Sequence, residues 1–498
     1  MSQIQISDLS FTYEGSFEPV FENLSLTLDT DWRLGLVGRN GRGKTTLLRL
    51  LLGELPHFSG TISASVRFDY FPFPITQSER PTWEVLEEAA PEVEDWRLYK
   101  ELAALELDTD ILYRPFSTLS NGEQTRCMLA LLFLREGRFL LIDEPTNHLD
   151  MAGREVVSRY LRRQKGFLLV SHDRAFLDGC IDHIVALNRE GVEVRQGDFS
   201  AWWEDRKRRE DFERGENEKL RREIGRLESA ARQAAGWSDK LEGTKIGSHL
   251  ADRGFVGAQA ARMMKRAKSA QRRREAAVQE KETLLRNVEK TPELELRPLL
   301  HPKKRLVELG EVTVDYGGGA VFSPVTLSLF QGDRVALVGR NGAGKSSLLK
   351  LLAGEDIPHK GSLSMAPNLA VSVVPQDASF LRGLPADYAR ARGVDVTRFL
   401  HFLRKLDFPR SLFERDMADY SAGQKKKVLL AASLSESAHL YLWDEPLNYI
   451  DVFSRMQLEA LLRDFPGTLV LVEHDRRFLD ALDIRRLELD GESREGSR

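Results

Sequence analysis

The segment Gly38-Arg39-Asn40-Gly41-Arg42-Gly43-Lys44-Thr45 recurs in this 498-residue chain as Gly339-Arg340-Asn341-Gly342-Ala343-Gly344-Lys345-Ser346, 301 residues later. Two other segments keep that offset: Ser120-Asn121-Gly122-Glu123 returns as Ser421-Ala422-Gly423-Gln424, and Leu141-Ile142-Asp143-Glu144-Pro145 as Leu442-Trp443-Asp444-Glu445-Pro446. His172-Asp173-Arg174 returns at an offset of 302 as His474-Asp475-Arg476. Spacing that steady requires two homologous domains, residues 1–200 and 301–498, around an unrelated insert, residues 201–300. Short apolar runs alternate with amphipathic stretches in both copies, which predicts a largely parallel α/β sheet in each. The longest apolar run, residues 128–134, is far short of the ~18 residues of a membrane span. The first residues lack the basic and apolar regions of a signal peptide, and Cys127 and Cys180 are too few for a disulfide framework, so a cytoplasmic protein is expected.

The repeated residues define a chemistry. Both glycine-rich segments match G-x-x-x-x-G-K-[ST], follow an apolar run (34–37, 335–338) and open a helix-forming stretch. Gly38, Gly41 and Gly43, with Gly339, Gly342 and Gly344, let consecutive backbone N–H groups converge on the phosphates of ATP. Lys44 and Lys345 neutralise β/γ-phosphate charge, and Thr45 and Ser346 offer hydroxyls to Mg²⁺. Asn40, Thr46, Asn341 and Ser347 complete the expected nucleotide-facing set. Residues 139–144 and 440–445 read as apolar strands ending in Asp-Glu. An acid at the carboxyl end of such a strand faces the nucleotide, so Asp143 and Asp444 suit a water-mediated Mg²⁺ contact. Glu144 and Glu445 are then placed to orient or deprotonate the attacking water, although a strand-end carboxylate also serves as a helix cap. His172 and His474 are expected at the γ-phosphate, against the commoner role of a packed histidine.

Together these residues resemble the ABC ATPase family across both repeated halves. The resemblance implies that residues 120–124 and 421–424 are signature loops, each completing the ATP site of the opposite copy. Site one would join Lys44, Thr45, Asp143, Glu144 and His172 to Ser421 and Gly423; site two would join Lys345, Ser346, Asp444, Glu445 and His474 to Ser120 and Gly122. Tyr13 and Tyr316 match the family's adenine-stacking aromatic, and Asp150 and Asp451 its D-loop acid. Gln376 matches its Mg²⁺-facing glutamine, whereas the corresponding 70–73 segment ends in Phe73. Asn121 and Ala422 replace a signature glycine, and Glu473 stands where copy one has Ser171. The two sites are therefore expected to be inequivalent.

The insert carries 24 Lys/Arg and 18 Asp/Glu, so the net charge of −4 divides into +6 on the insert and −10 elsewhere. Residues 204–231 balance nine bases with nine acids, the pattern of a solvated helix. Leu220, Ile224, Leu227, Ala231 and Ala234 form one helical seam, and a second helix is expected over residues 258–288. Two such helices of about 30 residues would project roughly 45 Å. Residues 262–274 hold seven bases (Arg262, Lys265, Arg266, Lys268, Arg272, Arg273, Arg274) and no acid. With Trp237, Lys240, Lys245 and Phe255 they form the expected footprint on a phosphate backbone.

Two ABC domains joined by a charged helical hairpin resemble the ABC-F class of translation factors. Residues 120–125, 421–427, 443–451 and 260–266 are similar to its Lsa-type antibiotic-resistance members. That likeness implies protection of the 70S ribosome against lincosamides, pleuromutilins and streptogramin A, with 23S rRNA and peptidyl-site tRNA as partners, no membrane partner, and a monomer whose ABC domains pair within the chain. The alternatives are a housekeeping ABC-F factor and, more remotely, the ATPase subunit of an importer.

Overall fold

The computed structural model describes residues 2–15, 18–91, 93–147, 149–188, 191–213, 215–216, 218–219, 222, 298–317 and 319–490. The chain divides into two units, Met1–Ser200 with Glu293–Arg498, and Ala201–Pro292. Of the second unit, residues 201–213 are helical and carry i,i+4 ion pairs such as Arg209–Asp205 (2.8 Å) and Arg206–Glu210 (2.9 Å), as alternating charge on an exposed helix favours. The expected seam, second helix and basic tip lie outside the described residues. Among those described, no helix is long and apolar enough to cross a membrane.

The first unit contains both copies of the repeat. In copy one a six-stranded sheet runs Arg67–Phe71, Arg138–Asp143, Phe167–Val170, Arg33–Gly38, His183–Asn188, Gly191–Gln196; only the last strand is antiparallel. In copy two the order is Val371–Val374, Leu440–Asp444, Thr468–Val472, Arg334–Val338, Arg485–Glu488, all parallel. The central strands read as continuous apolar runs because helices or a second sheet cover both faces; Phe167, Leu168 and Leu169 are all fully buried. A three-stranded antiparallel sheet completes each copy: Phe21–Asp29, Gln3–Phe11, Ser59–Ala64 in one and Val325–Phe330, Arg305–Val314, His359–Met365 in the other. Its inward residues, including Ile4, Leu9 and Leu28, share one core with Leu36, Leu48 and Leu141. Burying each such side chain contributes about 1.5–3 kcal/mol.

Parallel order has a functional consequence. It gathers the carboxyl ends of Arg33–Gly38, Arg138–Asp143 and Phe167–Val170 along one edge, where ligands of open α/β sheets bind. The glycine-rich loop, the Asp-Glu pair and His172 all follow those ends.

Candidate active site

Each glycine-rich loop leads into a helix, Lys44–Leu52 or Lys345–Leu352. The residue before each helix must be glycine for two reasons. Gly43 and Gly344 have φ of +86° and +82°, and a Cβ on them would stand 2.7 Å from Phe21 and 2.5 Å from Phe322. The loop thus rests directly on an aromatic ring from the antiparallel sheet, leaving its N–H groups and the helix start available to an anion. Lys44 Nζ, buried beneath the loop, donates to Gly38 O (2.8 Å) and Arg39 O (3.3 Å); Lys345 Nζ donates to Gly339 O and Arg340 O, both at 2.8 Å. Burial pushes both ammonium groups below the usual lysine range. Tyr13 and Tyr316 lie just beyond the strands that precede them, both exposed, and their hydroxyls meet Thr46 (3.0 Å) and Ser347 (3.1 Å) in the first turn of the loop's helix.

Asp143 and Asp444 end their strands as expected, but the glutamates that follow do not continue them. Glu144 and Glu445 have φ of +51° and +46°, the left-handed region that side chains rarely adopt and that tends to be retained at functional sites. The turn aims the glutamate back over the strand end. Neither oxygen of Glu144 meets a hydrogen-bond donor in good geometry, while His172 Nε2 lies 3.2 Å from Oε1. Burial, with the neighbouring Asp143 charge, pushes Glu144 up to about 8, near the value that suits a general base at neutral pH. Burial and the nearby lysines push His172 well below its ordinary range and His474 down to about 3, so both imidazoles are neutral.

The residues present fit Mg²⁺. Thr45 Oγ1 lies 3.3 Å from Asp143 Oδ2, and Asp444 Oδ1 is buried without a hydrogen-bond partner. One hydroxyl and one carboxylate per site form a hard oxygen set, the kind that holds Mg²⁺ together with substrate phosphates. Among the described residues no group of three His, Cys, Asp or Glu side chains could hold a metal by itself.

The two copies differ at this edge. In copy two Gln376 Nε2 donates to Glu445 Oε2 (2.8 Å), and Asn448 Nδ2 bonds the same oxygen. In copy one the Tyr70 hydroxyl donates to Asp143 Oδ2 (3.0 Å). Tyr70 aligns with Val373, so its only sequence signal is a polar aromatic where the other copy is aliphatic. Lys426 was equally hidden, in a run of three lysines that reads as solvated. It is 2% exposed and donates to Pro375 O and Asp444 O (both 2.9 Å), tying two strand ends together. Burial pushes Lys426 down to about 8. Glu473 accepts from the backbone N–H groups of Leu447 (3.2 Å) and His474 (2.7 Å); in copy one Thr146 and Ser171 instead pair their hydroxyls at 3.3 Å.

The structure brings residues of opposite copies together at site one. Asn40 Nδ2 donates to Tyr449 O (3.0 Å), Arg39 meets Asp407 (2.5 Å), and the Gly423 backbone lies so close that a Cβ would stand 2.3 Å from Tyr449 O and 3.1 Å from Asn40 Nδ2. Ser421 caps the helix behind Gly423 through a reciprocal bond with Gln424, and Ser120 caps its counterpart through Glu123. Both serines are exposed, Gly423 is buried and Gly122 only half-buried. At site two, Asp150 of copy one is near enough to act on the charge of Lys345. Asp150 and Asp451 also cap the helices that follow them, bonding the N–H groups of Gly153 (2.8 Å) and Ser454 (3.0 Å). Trp237, Lys240, Lys245, Phe255, Arg262, Lys265, Arg266, Lys268, Arg272, Arg273 and Arg274 lie outside the described residues.

Comparison with known proteins matches the sequence to a family. The ABC transporter family model matches residues 21–147 and 322–448, one match per copy and together just over half of the chain. The ribosome protection protein VmlR of Bacillus subtilis is 27% identical over 483 residues, covering 94% of this chain and 84% of that protein. The ATP-binding protein Uup of Caulobacter vibrioides is 31% identical, covering 95% and 75%. The energy-dependent translational throttle protein EttA of Haemophilus influenzae is 26% identical, covering 95% and 90%. Among solved structures, the complex of the archaeal ribosomal stalk protein aP1 with the ribosome recycling factor aABCE1 gives a TM-score of 0.61 at 22% identity, covering 97% of this chain and 90% of that one, which is a likeness of fold.

Proposed function

Because the chain belongs to the ABC-F family of ATPases, we propose that it binds the 70S ribosome in its ATP-closed form and protects it from lincosamide, pleuromutilin and streptogramin A antibiotics. In this reading it is a cytoplasmic monomer whose two ABC domains pair within the chain. The insert enters the ribosomal exit site, meets the peptidyl-site tRNA and 23S rRNA, and displaces drug near the peptidyl-transferase centre. The similarity to VmlR over nearly the whole chain supports the ribosomal part. The observation that carries the ATP-dependent part is Gly423 of one copy seated against Asn40 of the other, since nucleotide held there is gripped by both copies.

The residues divide the work as follows. The N–H groups of the loops at Gly41–Gly43 and Gly342–Gly344 bind phosphate, and Lys44 and Lys345 leave the loop carbonyls to meet its charge. Thr45 with Asp143, and Ser346 with Asp444 and Gln376, would hold Mg²⁺, which supplies Lewis-acid polarisation of the phosphoryl oxygens. Glu144 and Glu445 orient the attacking water and accept its proton, while neutral His172 and His474 offer an N–H to the γ-phosphate. Hydrolysis removes the group that Ser421, Gly423, Ser120 and Gly122 reach for, and the copies separate.

Expression in a drug-sensitive host tests the assignment. A rise in the minimum inhibitory concentration of lincomycin or tiamulin, lost in the Glu144→Gln/Glu445→Gln variant, is expected. The same variant should stop turnover yet sediment with ribosomes in ATP, and sedimentation free of ribosomes defeats the proposal. The similarity to EttA favours a second reading, a translation factor without a resistance role; ribosome binding with no change in drug susceptibility selects it.

A further inference from the structure

The helical region of each copy is built alike but surfaced differently. Copy one places Thr82–Ala89 and Asp95–Ala104 there, and copy two Pro385–Ala391 and Val396–Lys405. Residues 79–113 contain eleven acids and three bases, a net of −8; the region 301 residues later, 380–414, contains four acids and seven bases, a net of +3. A fold that accepts both charges needs neither, so the acidic surface has another cause.

Aromatic residues distinguish the same region. Trp83, Trp96, Tyr99 and Tyr113 are 44%, 62%, 41% and 72% exposed. Copy two has Thr397, Leu400 and Glu414 at the offset positions of the last three. Trp83, Tyr99 and Tyr113 wall a groove of about 230 Å³ floored by Leu86 and Ala90, both buried. Glu87 and Asp95 line it as well, exposed and without an ion pair among the described residues. Single exposed aromatics are ordinary, whereas several around one groove mark a contact site. Ring faces attract ammonium and guanidinium groups, and rim carboxylates add charge-assisted hydrogen bonds.

We propose that this groove docks a Lys/Arg-rich segment of a partner polypeptide. The proposal is independent of the ribosome-protection reading, since it concerns the face of the first ATPase copy and not the insert. A polyanion is repelled by this surface, and an uncharged apolar segment leaves Glu87 and Asp95 unanswered.

Fluorescence anisotropy of the full chain with a labelled ten-residue peptide of alternating Lys and Arg tests it. Trp83→Ala/Tyr99→Ala should weaken binding at least fivefold with ATPase activity unchanged. Glu87→Gln/Asp95→Asn, at exposed positions, should remove much of its salt dependence. Arg404→Glu/Lys405→Glu in copy two should change nothing. Peptide binding unaffected by the aromatic variant overturns the proposal. So does binding of a labelled RNA decamer that the aromatic variant abolishes, or self-association that it abolishes without any effect on the peptide.

Discussion

Two of the ion pairs that bridge the copies differ widely in burial, so they should differ in what they contribute. Arg174, at the start of the helix after His172, meets Glu459 of the helix Val452–Arg463, and both side chains are 10% exposed. Arg476 meets Glu155 across the same boundary at 3.0 Å, with side chains 60% and 61% exposed. Removing one partner of a buried pair costs about 3–5 kcal/mol, because the other charge stays buried. Arg174 Nε already lacks an acceptor, so Glu459→Gln leaves that guanidinium with one neutral oxygen. Since glutamine retains shape and one acceptor, the loss is about 2–3 kcal/mol, an approximately 30- to 150-fold shift against the packed arrangement of the copies. Glu155→Gln should cost under about 1 kcal/mol, as exposed pairs do. Cys127 and Cys180 are buried, so dyes on cysteines introduced at Glu87 and Glu414 report domain pairing selectively. Energy transfer followed during ATP titration should show its midpoint raised at least tenfold in Glu459→Gln and less than about fivefold in Glu155→Gln. Equal shifts, or a larger one at Glu155, refute the reasoning from burial.

Two other outcomes follow from single residues. Gly423→Ala places a Cβ 2.3 Å from Tyr449 O, and displacing that contact by ~1 Å should lower ATPase turnover by about 100-fold in a steady-state assay, with nucleotide binding to the open copies retained. Lys426, pushed down from 10.5 to about 8, has already lost its proton in the folded chain at pH values where the unfolded chain still holds one. Folded stability therefore rises between pH 8 and 10.5 and is lost again as pH falls, so wild-type minus Lys426→Met should grow by about 3 kcal/mol across that window in urea unfolding, whereas a flat difference contradicts a buried ammonium.

The placement of loops and strands was legible because it depends on local rules. Glycines before a helix, apolar runs of strand length and acids at strand ends all act within a few residues, and the repeat doubled each signal. Strand limits moved little: residues 139–144 became Arg138–Asp143. The difference is itself physical, since Glu144 turns out of the strand into a left-handed backbone that no side-chain pattern announces. Lys426 and Tyr70 were missed because their meaning depends on what covers them; charge and polarity in a sequence say exposed until packing says otherwise.

By itself, then, the sequence determined that two α/β domains of an ATP-binding family repeat at a constant offset, where the glycine-rich loops and strand-end acids fall and where the sheet edges lie. Only the tertiary structure decided how the sites are completed and how they differ. Asn40 and Tyr449 are 409 residues apart, and their contact depends on two folded domains presenting matching edges. The acidic, aromatic surface of copy one and the basic surface of copy two are carried by the same arrangement of two consecutive helices. What separates them is surface, which folding leaves free to vary and which a partner would read.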